Sequence, residues 1–117
     1  MSKAKRSVVV AGGGIGGLSA ALSLAKTGFR VTVLEQAAQF GEIGAGIQIG
    51  PNAFHAMDWL GVGETARAKA VYIDKLILMD GTTGSEVAHI PVDGPFRDRF
   101  RNPYAVIHRA DLHGVLL

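Results

Sequence analysis

The most constraining feature of this sequence is a run of glycines directly after a short apolar segment. Residues 12–17 satisfy the spacing G-x-G-x-x-G through Gly12, Gly14 and Gly17. The preceding residues 7–11 are a continuous, largely β-branched run, typical of a strand buried on both faces of a parallel sheet. The sequence therefore predicts a strand that ends in a sharp glycine turn.

A helix and a second strand are predicted immediately after the glycines. Apolar residues recur at helical spacing and mark one helix face at Leu18, Ala21, Leu22 and Ala25. Gly28 stands where a C-terminal cap is expected, so the helix is predicted over residues 14–27. A second β-branched strand follows at residues 30–35, and the order strand, helix, parallel strand predicts a βαβ unit.

In a βαβ unit of this kind, the glycine turn can bind a diphosphate. Gly12 permits the tight turn, Gly14 lets a pyrophosphate approach the backbone, and Gly17 lets the helix pack closely on the strand. Unpaired amides and the positive helix end then bind the anion. Glu35, 18 residues beyond Gly17, is placed to accept hydrogen bonds from adenosine ribose hydroxyls and to repel a 2′-phosphate. The pattern predicts dinucleotide binding over a purely structural glycine turn, but it does not separate FAD from NAD.

A second glycine-rich segment, residues 41–52, is not explained by a simple nicotinamide-binding unit. Gly44, Ala45 and Gly46 would let the main chain pass close to a flat or extended ligand, and Gln48 offers both a donor and an acceptor. The alternative is a glycine-bent strand with a solvated Gln48. The residues alone leave both possibilities open.

The rest of the chain gives weaker signals. Asn52 is predicted to cap a short helix that ends at Gly61, and residues 71–79 and 86–90 are predicted to pair as a hairpin around the turn 80–84. That helix is predicted to carry Phe54, Met57 and Leu60, and Phe54, Met57 and Trp59 are interpreted as core residues and not as cofactor contacts. A further strand is predicted at residues 104–108, and a helical pattern that starts near Leu112 reaches Leu117 without a cap, so the chain is expected to continue.

Composition and charge exclude several classes of protein. The chain has no cysteine, which excludes disulfide scaffolds and thiolate metal sites, and its four histidines have no metal-ligand spacing, so no metal is predicted. Twelve basic against ten acidic residues give no sustained basic face for nucleic acid. The alternating Arg97, Arg99 and Arg101 are predicted to lie in a solvated loop or edge. No apolar run is long enough to span a membrane, and a cytoplasmic location is expected.

Together, the fingerprint, Glu35 and the second glycine segment resemble the single-component flavin-dependent aromatic hydroxylases, the family that contains salicylate and 4-hydroxybenzoate hydroxylases. The resemblance spans essentially the whole chain. Residues 44–52, 80–84 and 102–112 are most similar to the 3-hydroxybenzoate 6-hydroxylase subgroup. It implies a Rossmann-like, three-layer α/β domain for FAD, incomplete here, with residues 1–117 as its N-terminal part and the substrate domain beyond Leu117.

The resemblance also implies the cofactor-binding residues. The pyrophosphate would be surrounded by Gly12, Gly14, Ile15 and Gly17, and the adenosine ribose would be held by Glu35, with Gln36 beside it. The flavin would lie beside Gly46, Ile47 and Gln48, with Arg109 of the His-Arg-x-Asp-Leu segment in contact with the cofactor. Gln48 is expected to position a ligand and not to transfer a proton, because an amide is no general base near neutral pH. No catalytic residue is identified within the 117 residues.

The implied activity is that of an FAD monooxygenase with NADH as electron donor, O2 as co-substrate and an aromatic acid as small-molecule substrate. Its reaction would convert 3-hydroxybenzoate to 2,5-dihydroxybenzoate (gentisate). Two alternatives stay open: an NAD-dependent dehydrogenase or reductase with the same fingerprint, and a noncatalytic dinucleotide-binding module.

Overall fold

A computed structural model describes residues 6–40 and 44–117. It begins with the predicted βαβ unit: β1 (Ser7–Ala11), α1 (Ile15–Lys26) and β2 (Arg30–Leu34). The two strands are parallel and in register from Ser7 opposite Arg30 to Ala11 opposite Leu34. The N-terminal element order predicted from the sequence is therefore confirmed.

The ends of α1 follow the predicted glycine signals. Gly14 precedes the first helical residue in extended conformation, and Gly28 follows the helix with φ +97°. The amide of Gly28 donates to the carbonyl of Ala25 at 3.0 Å, which satisfies one of the last free carbonyls.

The expectation that β1 is buried on both faces is wrong for the described residues. Exposure alternates along β1 and β2, and Val9 and Leu34 are 62% and 56% exposed. The physical reason is that α1 packs on one face of this two-stranded sheet, and no described element covers the other.

A second sheet holds the other site segment. Its strand order is β3 (Gly46–Ile49), β7 (Ala105–His108) and β4 (Val71–Tyr72), all antiparallel neighbours. The strand predicted near residues 104–108 is confirmed, and its pairing with β3 places Gly46 opposite His108 and Gln48 opposite Val106.

Two helices, α2 (Pro51–Leu60) and α3 (Gly63–Lys69), connect β3 to β4. Gly50, not the predicted Asn52, caps α2, because Pro51 suits the first helical position and starts the helix earlier. Gly61 ends α2 with φ +86°, as predicted.

Of the predicted core residues on α2, Phe54 and Met57 are buried, but Trp59 is 50% exposed. The prediction for Trp59 is wrong because it lies two positions after Met57, on another side of the helix. α3 was not predicted.

The predicted hairpin is confirmed with one correction. It consists of β5 (Lys75–Met79) and β6 (Glu86–Pro91), paired antiparallel. The predicted single strand 71–79 is wrong, because β4 pairs with β7 whereas β5 pairs with β6. The carboxylate of Asp80 organises the turn by accepting the amides of Thr82 and Thr83 at 2.7 and 3.0 Å.

The arginine-rich segment is a helix, α4 (Gly94–Phe100), and not the predicted loop or edge. Pro95 lies in its first turn, and the rings of Phe96 and Phe100, one helical turn apart, have centroids separated by 4.7 Å. These two features favour a helix over a solvated loop.

The last element is α5 (Arg109–Leu116), which packs against α1 and α3. Leu112 and Leu116 are buried, in agreement with the helical pattern predicted there. A buried hydrophobic cluster joins the second sheet to α2, α3 and α5 through Ile49, Phe54, Met57, Ala66, Ala105, Ile107 and Leu112. Among the helices at residues 6–40 and 44–117, none has the length and apolarity required to cross a membrane.

Candidate functional site

The glycine turn between β1 and α1 has the tight backbone and the close helix packing that the sequence predicted for Gly12 and Gly17. Gly12 has φ +108°, a conformation that strongly favours glycine, and its amide donates to the carbonyl of Leu34 at 2.7 Å. A side chain at Gly17 would collide with the carbonyl oxygen of Gly12 and lie 3.6 Å from Val10. Gly17 is therefore required for the close packing of α1 on the turn.

The N-terminus of α1 faces the same turn. The amide of Leu18 makes the first intrahelical hydrogen bond, to Gly14 at 2.9 Å, so the geometry of the first turn leaves the amides of Ile15, Gly16 and Gly17 available to an anion. No acidic side chain lies in this first turn to compete for them. The helix dipole adds a positive potential at that end.

Glu35 lies one residue beyond β2 and contacts the glycine turn directly. Its Oε2 accepts the amide of Gly13 at 2.8 Å, and its Oε1 accepts the amide of Ala37 at 2.9 Å. Hydrogen bonds from Ala37 and then from Gly13 lower the pKa of the Glu35 carboxyl, so the group is anionic at neutral pH. Each oxygen retains acceptor capacity for a ligand hydroxyl.

A recess of about 530 Å³ lies at the carboxyl ends of the two parallel strands, and it is lined by Ala11, Gly12, Leu34, Glu35 and Gln36. This edge of a parallel sheet is where α/β folds bind their ligands. The structure therefore brings the predicted residues Gly12, Glu35 and Gln36 to one cavity.

A neighbouring recess of about 210 Å³ contains a residue that sequence analysis did not connect to the site. His113, on α5, is 3% exposed, and its Nε2 lies 2.7 Å from the carbonyl oxygen of Gly13. Its ring also lies beside Phe40, with centroids 6.1 Å apart. The sequence held one weak signal, the position of His113 one helical turn after Arg109, on the same side of the helix.

Within the second glycine-rich segment, Gly46–Ile49 form strand β3, and the two faces of this strand differ in exposure. Ile47 and Ile49 point toward the core, while Gly46 and Gln48 are exposed on the other face. The face of β3 that carries Gly46 and Gln48 is thus accessible to a ligand, whereas the side chain of Ile47 packs against the core. Residues 41–43 of this segment lie outside the described residues.

Gln48 and Gly44 each have a defined neighbour. The Oε1 of Gln48 accepts the hydroxyl of Tyr104 at 2.6 Å, which leaves the amide nitrogen of Gln48 as donor. A Cβ at Gly44 would lie 2.9 Å from Cδ of Arg109, so the small residue there makes room for Arg109. The close approach of this main chain to a ligand stays a prediction; what the structure shows is that Gly44 accommodates the side chain of Arg109.

Arg109 is the first residue of α5, and its amide donates to the carbonyl of Ala45 at 3.3 Å. Its side chain is anchored against Gly44 at its aliphatic part. α5 therefore connects the two predicted regions: Arg109 contacts the β3 segment, and His113, one turn later, contacts the glycine turn.

Comparison with known proteins agrees with this geometry. Residues 10–61 match the family described as NAD(P)-binding Rossmann-like domain. The chain is 64% identical to 3-hydroxybenzoate 6-hydroxylase of Polaromonas naphthalenivorans over 110 aligned residues. This alignment covers 94% of this chain and 28% of that protein. It is 56% identical over 116 residues to 3-hydroxybenzoate 6-hydroxylase of Klebsiella oxytoca, which covers 99% of this chain and 29% of the relative.

A solved structure shows the same fold. The crystal structure of Klebsiella pneumoniae HpxO complexed with FAD and uric acid superposes with a TM-score of 0.83 at 28% identity, covering 96% of this chain and 28% of that one. The present chain thus spans less than a third of the length of the proteins it matches. The predicted Rossmann-like fold and the predicted resemblance are both confirmed: the chain is similar over nearly its whole length to proteins named 3-hydroxybenzoate 6-hydroxylase, and it shares the fold of an FAD-bound structure.

Proposed function

We propose that residues 1–117 form part of the FAD-binding domain of a longer flavin-dependent monooxygenase, whose substrate domain lies in another part of the polypeptide. The observation that carries this proposal is the joining of three elements at one edge of the sheet: the glycine turn, the open end of α1 and the carboxylate of Glu35. Similarity to hydroxylases over 94% of the chain supports it.

The residues at this edge fit the two polar parts of the adenosine diphosphate moiety. The diphosphate requires backbone donors and space. The amides of Gly14, Ile15 and Gly17 are the proposed donors, and Gly12, whose own amide is bonded to Leu34, leaves space because nothing lies within 4 Å of a Cβ built there. The ribose requires an acceptor for its hydroxyls, which the ionised Glu35 supplies, with Gln36 lining the same recess.

The flavin end would be held by the second region. Gly46, the Ile47 backbone and Gln48 present an open strand face, and Arg109 begins a helix directly beside them. When bound, FAD supplies the redox chemistry that no side chain possesses. The protein residues bind and orient it: the amide nitrogen of Gln48 donates, and its Oε1 is engaged by Tyr104.

For the substrate, we propose a phenolic aromatic acid, with 3-hydroxybenzoate converted to 2,5-dihydroxybenzoate, NADH as electron donor and O2 as co-substrate. Support comes from two relatives with that name at 64% and 56% identity. We propose that the side chains that act on the substrate lie beyond Leu117.

The test uses the full-length protein. Acid denaturation should release a yellow chromophore with the FAD spectrum, and 3-hydroxybenzoate should stimulate NADH oxidation with 2,5-dihydroxybenzoate as product. Benzoate, which lacks the activating hydroxyl, is the matched control and should give no hydroxylated product. Absence of flavin together with reversible NAD reduction would instead establish the dehydrogenase alternative.

A further inference from the structure

The proposed function assigns no role to the buried histidine of α5, His113. His113 is 3% exposed, and its closest polar contact is the carbonyl oxygen of Gly13, 2.7 Å from Nε2. A carbonyl oxygen only accepts, so Nε2 must carry the proton and donate. This contact joins residues 100 positions apart and ties the last described helix to the glycine turn.

Gly13 is held on both sides by side chains. Its amide donates to Oε2 of Glu35 at 2.8 Å, and its carbonyl accepts from His113 at 2.7 Å. The two contacts act on successive peptide groups, 12–13 and 13–14. Together they fix the orientation of both peptide planes at the centre of the turn.

The second peptide plane matters most for ligand binding. The described residues contain no cis peptide bond, so in the peptide 13–14 the N–H of Gly14 points opposite to the Gly13 carbonyl. A donor on that carbonyl therefore holds the Gly14 amide pointing away from His113, and it also polarises the amide as a donor. If the plane rotated, the carbonyl oxygen would point where the amide donor is required.

The imidazole of His113 is buried beside an aromatic ring. The ring of Phe40 lies beside the imidazole at 6.1 Å and so close to Gly13 that a Cβ there would collide with it. Substitution of His113 would take its donor from the carbonyl of the buried Gly13, and loss of a partner by a buried polar group costs more than loss of an exposed hydrogen bond.

From these contacts we infer that His113 is a positioning residue for the cofactor: its Nε2–H holds the Gly13–Gly14 peptide in the orientation that binds the diphosphate. This inference rests on the proposed function. It makes α5 a link between the diphosphate region and Arg109, because one helix carries both residues.

The test compares two substitutions in the full-length protein. His113→Leu removes the donor while keeping an apolar side chain of suitable size, and His113→Gln retains an N–H donor at a similar reach. His89→Gln, on the exposed hairpin, is the matched control. The measurements are the Kd for FAD by flavin fluorescence and the Tm of the apoprotein.

His113→Leu is expected to weaken FAD binding roughly tenfold, which corresponds to about 1.4 kcal/mol. His113→Gln should stay within about threefold of the wild type, and the control should not change. If His113→Leu lowers only the apoprotein Tm while Kd is unchanged, the role is merely structural and the inference is wrong. If that variant does not fold, His113→Asn, whose amide is too short to reach Gly13, takes its place with the same expectation.

The same data separate this inference from the proposed function. Wild-type protein that binds no FAD would refute the proposed function itself. If the wild type and His113→Leu bind FAD with equal Kd, only the proposed role of His113 is refuted.

Discussion

The carboxylate of Glu35 accepts the backbone amide of Gly13 at 2.8 Å, which ties the end of the second strand to the turn after the first. This contact places a negative charge beside backbone donors that would otherwise attract anions without selection. In the proposed function, this divides the site into a part for the diphosphate and a part for the ribose hydroxyls. A neutral residue at position 35 would remove that division.

Substituting Glu35 with alanine should weaken FAD binding by the full-length protein about tenfold or more, because both the ribose acceptor and the support of Gly13 are lost. The measurement is Kd by fluorescence titration. Glu64→Ala is the control, since its side chain is 99% exposed and lines neither recess of the site. Equal affinities for Glu35→Ala and the wild type would remove Glu35 from the site.

Two glycines one residue apart should respond in opposite ways to alanine. At Gly17 the added methyl would collide with the carbonyl of Gly12, so Gly17→Ala should lower stability by about 1–3 kcal/mol and reduce bound FAD. At Gly16 nothing lies within 4 Å, so Gly16→Ala should leave stability unchanged or raise it by up to about 1 kcal/mol. Thermal unfolding and flavin content measure both effects, and similar losses in the two variants would contradict the packing described here.

The Asp80 turn should make the hairpin sensitive to acid. Hydrogen bonds from Thr82 and Thr83 lower the pKa of the Asp80 carboxyl from its usual 3.8 to about 2. Because the folded pKa is depressed, the stabilisation is fully present above pH 3.8 and is lost as the pH falls toward 2. The difference in Tm between wild type and Asp80→Ala should therefore shrink from pH 5 to pH 2, and a difference that is constant over this range would contradict the prediction.

A polar cluster away from the site should contribute to stability alone. Arg67 makes two hydrogen bonds to Asp58, at 2.6 and 2.7 Å, and one to the buried Asn102 at 2.6 Å. Arg67→Lys retains the charge but not the planar set of donors, so it should destabilise the protein by about 1–3 kcal/mol and leave the Kd for FAD unchanged. Denaturant unfolding and flavin titration are the two measurements, and a change in FAD affinity without a loss of stability would refute this assignment.

The parts of the fold that the sequence predicted are those set by local pattern. The βαβ unit follows from a β-branched run, a helical face and glycines within 30 residues, and the hairpin follows from its Asp80 turn. The pairing of β4 with β7 joins strands more than 30 residues apart, and nothing in either strand specifies the partner. The α4 helix was missed because its alternating charges outweighed the signals from Pro95 and the phenylalanine pair.

The same difference between local pattern and long-range packing applies to the residues of the site. Gly12, Gly17 and Glu35 were predicted because their roles depend on backbone conformation and on position after a strand. His113 was considered only as a metal ligand, because its contact with Gly13 depends on how α5 packs on α1. For such long-range packing the sequence carries only a weak signal, the position of His113 one helical turn after Arg109.

The measurement that tests the central claim most directly is a crystal structure of the full-length protein in complex with FAD. The account predicts that the diphosphate lies at the N-terminus of α1 against the amides of the glycine turn, with both adenosine ribose hydroxyls bonded to Glu35. Electron density for FAD at any other place, with that turn open to solvent, would contradict it.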